Sequence, residues 1–359
     1  MSTHVPISAE QPIARRPLRV VAIGGGTGLS TLLRGLKKYV IAPGVARIAQ
    51  TTYAIGELAA IVTVTDDGGS SGRLRKDLNI LPPGDIRNCM VALSEDEAML
   101  SRLFQHRFSS GGGLDGHNFG NLFLAALTSI TGDFAEAVRE SSVILASRGH
   151  IYPSTTSNVQ LDAWMDDGSR VFGETKITAS KQRITELRMV PANAQPLPQT
   201  LAAIAQADLI TMGPGSLFTS LVPNVLVRGI PEAIAASRAK KVFVCNLMMQ
   251  ANESLGLSAS AHIRAIRRHA RMKLFDYALV NNAPVSPALL EKYQGEGAGQ
   301  VACDTAAIED LGVKCIADDL LDEDGLVRHN THKLALRLME LAFSSTPPRP
   351  TAVAVTAKS

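Results

Sequence analysis

The chain has 359 residues, 45% of them hydrophobic, enough for one large α/β domain or two ordinary ones whose core needs no cross-links. Its four cysteines, Cys89, Cys245, Cys303 and Cys315, form no CxxC pair, so neither a zinc knuckle nor a disulfide framework is suggested, and a reducing, cytoplasmic setting fits best. A net charge of +3 with 4% aromatics speaks against a nucleic-acid binder, and no apolar run is long enough for membrane insertion.

Several of the positive charges fall in two places, Arg15, Arg16 and Arg19 near the start and the helical segment Arg264 to Arg271. Residues 1–17 contain Pro6, Pro12 and Pro17 but no apolar core of a signal peptide. Residues 344–359 are rich in Pro, Thr, Ala and Ser. Both ends read as disordered tails around a folded part spanning 18–343.

Leu18 to Ile23 predicts a strand that stops at Gly24-Gly25-Gly26, and Leu29, Leu32, Leu33 and Leu36 then recur at helical spacing. A second strand, Ala59 to Val64, runs into the loop Thr65-Asp66-Asp67-Gly68-Gly69-Ser70-Ser71-Gly72. Alternation of this kind predicts an α/β fold, a parallel sheet covered by helices. Pro82 to Asn88 is a turn into a helix with Asp85 as N-cap. Asp96 to Ala146 is helical, broken by the glycine-rich Ser109 to Gly116 and by Thr131-Gly132-Asp133, where Asp133 caps the next helix.

From Gly149 to Val190 the period changes to two, through Val159, Leu161, Ala163 and Met165 to the turn at Asp167-Gly168, which predicts a small β-rich insertion over about 149–190. Strands then return at Leu209 to Met212, Lys241 to Cys245 and Asp276 to Val280, and a helix from Lys333 to Phe343 closes the fold.

The glycine turns are the candidate sites. Backbone N–H groups at a glycine-rich strand-to-helix turn, with the positive end of the helix behind them, form an anion site that phosphate can approach closely. Gly25, Gly26, Thr27 and Gly28 offer one such turn; it lacks the Lys-Ser or Lys-Thr of a P-loop and fits the dinucleotide fingerprint only loosely. Gly213, Pro214, Gly215 and Ser216 offer a second after another strand, and in an open α/β sheet both would face the crevice beyond the strand ends. The plainer reading of either turn is a tight connection without a ligand.

Asp66 and Asp67 follow a strand directly, a position for accepting ribose hydroxyls or holding Mg²⁺ beside phosphate; the alternative is a capped turn. Arg87, next to Asn88, can fork onto a phosphate or pair as a structural ion. His117, Asn118 and Asn121 open a helix with a density of polar groups suited to recognition, without an acyl-transfer triad around them. His329 and His332 are spaced as helix neighbours, but no further ligand lies close in sequence, so no metal site is expected.

Five ordered motifs carry a resemblance: Gly24 to Ser30, Val62 to Arg75, Pro82 to Asn88, His117 to Leu122 and Gly213 to Ser220. Together they resemble the YvcK-type gluconeogenesis factors of the CofD-like superfamily, over roughly Arg19 to Phe343. The resemblance implies a Rossmann-like fold, binding of UDP-activated sugars, above all UDP-N-acetylglucosamine, and a cytoplasmic role in growth on gluconeogenic carbon and in cell shape through cell-wall precursor supply. It implies that Gly25 to Gly28 and Gly213 to Ser216 hold phosphates, that Asp66 and Asp67 face ribose or a cation, and that His117, Asn118 and Asn121 line the sugar side. Ser70, Asp85, Arg87 and Asn88 belong to the same motifs. The segment Asn246 to Ser254 departs from the related pattern Asn-Leu-Met-Thr-Gln-Pro-Gly-Glu-Thr by losing its Pro and Gly, while Asn246, Gln250 and Glu253 remain.

Two functions compete. One is a UDP-sugar-binding regulator acting through a protein partner, with self-association left open. The other is a Mg²⁺-dependent transferase moving a phospholactyl group from a nucleotide diphosphate to a deazaflavin precursor, for which the same glycine loops, Asp66-Asp67 and Arg87 would serve. No catalytic residue is singled out, and Mg²⁺ stays open in both. A nicotinamide dehydrogenase is the weaker third reading, because the Gly24 loop lacks the fingerprint spacing.

Overall fold

The computed structural model describes residues 16–41, 53–95, 97–109, 111–180, 182–251, 253–295 and 297–344. Apart from Arg16, Pro17 and Ser344, the expected tails lie outside these residues, as do Asp96 and Asn252.

The first strand shows why the sheet is parallel and central. In β1 (Leu18–Gly24) the residues Val20, Val21, Ala22 and Ile23 are all buried, so the strand is covered on both faces and reads as a continuous apolar run. Along the chain follow β2 (Ile55–Val62), β3 (His150–Pro153), β4 (Gln160–Met165), β5 (Arg170–Phe172) and β6 (Ile184–Val190). Then come β7 (Leu209–Met212), β8 (Lys240–Val244), β9 (Tyr277–Asn281), β10 (Lys314–Asp318) and the short pair β11 (Leu321–Asp322) and β12 (Arg328–His329). Seven strands form one parallel sheet in the order β10-β9-β8-β7-β1-β2-β3.

The helices in chain order are α1 (Gly26–Lys37), α2 (Gly69–Leu78), α3 (Gly84–Leu93), α4 (Glu97–Gln105), α5 (Phe119–Thr131), α6 (Phe134–Ile144) and α7 (Glu174–Ala179). They continue with α8 (Pro198–Gln206), a π-helical turn (Leu217–Leu221), α9 (Val222–Leu226), α10 (Ile230–Ala236), α11 (Ala259–Ala270), α12 (Pro287–Gly295), α13 (Thr305–Asp310) and α14 (Thr331–Phe343). α1 packs on α3 and α14, and α9 packs on α10 and α11. The predicted leucine stripe of α1 is its buried face: Leu29, Leu32, Leu33 and Leu36 have no exposed surface, and each contributes about 1.5–3 kcal/mol before chain entropy is set against it.

Of the two expected caps, Asp133 acts and Asp85 does not, while Asn118, read from the sequence as a recognition residue, also caps its helix. Asp133 accepts from Glu136 N–H at 2.8 Å, and Asn118 does the same for Asn121 N–H at 3.3 Å. Asp85 does not cap α3. That helix starts two residues earlier, with Pro83 at the N-cap and no side-chain bond there, and the Asp85 carboxyl instead takes the Gly26 N–H.

Three further expectations change. β3 pairs in parallel with β2 and belongs to the main sheet, so the inserted sheet is narrower than 149–190 and consists of β5-β4-β6. The loop after β2 is shorter than expected, because α2 begins at Gly69 and takes Ser70 and Ser71 into its first turn. His329 lies in β12 rather than in a helix with His332; its Nε2 lies 3.1 Å from the Cys245 carbonyl, and burial pushes its pKa down to about 4, the mark of a neutral core histidine.

Candidate functional site

The chain runs from β1 to β2 and β3 on one side of the sheet, then crosses to β7, β8, β9 and β10 on the other. The reversal falls between β1 and β7, and in open α/β sheets the ligand crevice lies there, beyond the carboxyl ends of the strands. Both predicted glycine loops leave the sheet at this point.

They touch. A Cβ on Gly28 would stand 2.4 Å from the Pro214 carbonyl oxygen, and one on Gly25 would stand 2.5 Å from Thr63 Cγ2 and 2.7 Å from Asp85 Oδ2. Glycine is required by close approach at both positions, and at Gly26 by a positive φ of 62°. α1 has no side-chain cap and no acid in its first turn, so its opening amides face the crevice as donors. One of them, Gly26 N–H, is taken by the Asp85 carboxyl.

Asn246, just past β8, braces the second loop from below. Its side chain accepts from Gly215 N–H at 2.9 Å and donates to the Gly215 carbonyl at 2.8 Å. Gln250 Nε2 donates to Ser216 Oγ at 2.8 Å. Glu253 accepts from Phe218 N–H at 3.1 Å and from Thr219 Oγ1 at 2.6 Å. The altered segment thus keeps its hold on the loop, and Ser254 still accepts from Gln250 N–H at 3.0 Å.

The acids divide by task. Asp67 Oδ1 accepts from Thr175 N–H at 2.8 Å and Thr175 Oγ1 at 2.5 Å, which ties the loop after β2 to the start of α7. This tether engages one carboxylate oxygen of Asp67 and leaves its Oδ2, so both acids of the predicted pair stay candidates for a ligand. Asp66 Oδ1 accepts from Gly68 N–H at 2.9 Å. Asp85 lies deep but keeps a window to solvent; burial raises its pKa to about 6, opposed by the Gly26 N–H and reinforced by Asp66. Glu174 accepts from Thr65 Oγ1 at 3.0 Å, and burial together with Asp66 and Asp85 pushes its carboxyl well up. Among the described residues no group of three or more His, Cys, Asp or Glu side chains is arranged to hold a metal ion.

The polar cluster at the start of α5 closes the other wall. Ser70 Oγ accepts from Asn118 N–H at 3.2 Å, so its own proton is free for His117 Nδ1, also 3.2 Å away. Burial and Arg73 lower the pKa of the ring, which favours its neutral form. Arg87 donates to Asn121 Oδ1 at 3.3 Å and to Asn88 Oδ1 at 2.8 Å, while its Nε, buried, has no partner among the described residues. Burial and the nearby Arg107 lower its pKa.

The structure therefore brings the predicted residues Gly25 to Gly28, Asp85, Gly213 to Ser216, Asn246 and Gln250 onto one strand edge, with Asp66, Ser70, Arg87, Asn88, His117, Asn118 and Asn121 around α2, α3 and α5 beside it. Glu174 was not among the expected residues. It arrives from the inserted sheet, far along the chain from Thr65, and nothing local in the sequence distinguishes it from an ordinary first-turn acid.

This fold defines a doubly wound, Rossmann-like α/β protein with a crevice at the switch point of its sheet. The profile of the 2-phospho-L-lactate transferase CofD family matches residues 20–321. The gluconeogenesis factor of Halalkalibacterium halodurans is 46% identical over 322 residues, covering 89% of this chain and 95% of that protein. The gluconeogenesis factor of Bacillus subtilis is 44% identical, covering 90% and 98% respectively. A crystal structure of a UPF0052 family member from Bacillus halodurans superposes with a TM-score of 0.83 at 45% identity, covering 90% of this chain and 99% of that one. The chain belongs to the CofD family, among its YvcK-type gluconeogenesis factors.

Proposed function

We propose that this protein is a cytoplasmic nucleotide-sugar sensor that binds UDP-N-acetylglucosamine and, through a protein partner, adjusts cell-wall precursor supply during growth on gluconeogenic carbon. The observation that carries the reading is the contact of two glycine loops at the switch point between β1 and β7, one of them opening an uncapped helix. A diphosphate needs donors over more than one phosphate: the α1 amides other than Gly26 N–H, which Asp85 takes, face the crevice, and in the second loop, where Asn246 takes Gly215 N–H and the Ile23 carbonyl takes Gly213 N–H, the Ser216 hydroxyl keeps its own proton to donate. Gln250 and Asn246 fix the second loop in advance, which lowers the ordering cost of binding. Relatives named gluconeogenesis factors support the physiological half.

The family description and the raised pKa values of Asp85 and Glu174 favour a second reading, Mg²⁺-dependent phospholactyl transfer to a deazaflavin precursor. A cation in this crevice would rest on phosphate oxygens and on Asp66 or the Oδ2 of Asp67, whose Oδ1 is held by Thr175. Incubating the protein with UDP-N-acetylglucosamine, and separately with a phospholactyl nucleotide and deazaflavin acceptor with Mg²⁺, separates the two. The sensor returns its ligand intact and yields no transfer product; turnover of the phospholactyl donor would replace it with the transferase.

A further inference from the structure

Beside the π-helical turn lies a basic surface built from α11 and the residues just before β6. Arg264, Arg267, Arg268 and Arg271 recur at i, i+3, i+4 and i+7 along α11, so they share one face, and all four are exposed. Arg183, just before β6, lines a hollow of about 280 Å³ together with two of them, Arg264 and Arg268. That hollow has an apolar floor of Phe218, Leu257 and Ala261 and adjoins a second, more open one of about 470 Å³ that shares Arg264 and Arg268.

Among the described residues none of these five arginines is in an ion pair. Glu186, on β6 and close enough to feel Arg268, is held by Arg188 at 2.8 Å. His269 adds no counter-charge: its Nδ1 lies 2.7 Å from the Ala265 carbonyl and its Nε2 accepts from Leu187 N–H at 3.0 Å, which makes the ring neutral. The helix C-terminus accounts for cations at Arg267 and Arg268, but not for Arg264 a turn earlier or for Arg183 on another element. Like charges kept together without partners repel, and a concave site that gathers guanidinium forks from two elements is matched to a compact dianion.

We propose that Arg183, Arg264 and Arg268 form a second anion site that takes a small phosphate monoester, with the forks on the phosphate and the carbon body against Phe218 and Leu257. The scarcity of aromatics in the hollow removes the stacking platform that a nucleic-acid strand would use. The proposal is independent of what the glycine loops bind.

Calorimetric titration with inorganic phosphate and with glucose 6-phosphate, on wild-type protein and on the R264Q/R268Q variant, tests it. Both substitutions are on the surface, and an unchanged thermal midpoint confirms folding. The wild type should bind both probes, glucose 6-phosphate more tightly because only it covers the apolar floor, and the variant should bind at least about tenfold more weakly. Equal binding by wild type and variant, or no binding by the wild type, overturns the site. Repeating the wild-type titration with UDP-N-acetylglucosamine already saturating should leave phosphate binding in place; its loss would assign the heat to the glycine loops and overturn the proposal. If UDP-N-acetylglucosamine itself does not bind, the comparison of wild type with variant still decides.

Discussion

At Gly28 a single hydrogen decides whether two loops can meet. A methyl group there would press on the Pro214 carbonyl at 2.4 Å, and because that oxygen is backbone it cannot rotate away. Gly28→Ala should therefore cost about 1–3 kcal/mol in urea unfolding, the usual size of an overpacking defect. An unchanged midpoint would mean that the loops do not touch in solution. Asp85 makes the second prediction. Folding raises its pKa from 3.8 to about 6, so the folded chain holds this proton to higher pH than the unfolded one. Stability is consequently lost as pH rises through that interval. Discounted for its window to solvent, the loss is about 1–2 kcal/mol. Asp85→Asn should match the wild type near about pH 4 and exceed it by that amount near about pH 7; a difference that does not change with pH would contradict the assignment.

Elements are held in this molecule by small polar groups at their ends. Asn118→Ala removes the N-cap of α5 and should cost about 1 kcal/mol, whereas Ser70→Ala removes the hydroxyl that joins the Asn118 N–H to His117 Nδ1, so in that variant the His117 ring should lose its fixed orientation. A histidine ring signal in NMR that is unmoved by Ser70→Ala would argue against that link. Asp67 tethers α7, and with it the inserted sheet, to the loop after β2. Asp67→Ala should raise amide exchange in 170–180 while leaving β1 and β7 protected, since the element loses a tether rather than its core. Exchange that rises uniformly would instead show that the insertion is part of the central core's cooperative unit.

Across the whole molecule, what was legible in the sequence is what depends on local backbone chemistry. Gly24-Gly25-Gly26 after an apolar run and Gly213-Pro214-Gly215 after another could be placed at strand ends, because glycine requirements and strand burial are written within a few residues. Pairing across long separations was not legible. His150 to Pro153 has the same alternating look as the inserted strands, and only its parallel register with Ala59 to Val62 assigns it to the main sheet. Asp85 follows a Pro-Pro-Gly turn as an N-cap would, and a helix start two residues earlier turns it from a cap into the partner of Gly26. Asp66 and Asp67 are identical in type and adjacent, yet Thr175, more than a hundred residues on, takes one and leaves the other. Two loops that meet at the switch point of the sheet lead to the claim that both hold one ligand.

Calorimetric titration of the wild-type protein and of a Gly215→Ala variant with UDP-N-acetylglucosamine tests that claim most directly. In the variant, a Cβ would stand 3.2 Å from Leu221 Cδ2, which can rotate away, and 3.3 Å from Ser220 Cβ, which a backbone shift of about a few tenths of an ångström relieves; an unchanged thermal midpoint checks that the loop stays folded. Micromolar binding by the wild type, weakened at least about tenfold in the variant, is the predicted result. No binding by the wild type at millimolar ligand, or binding that the variant retains in full, would contradict it.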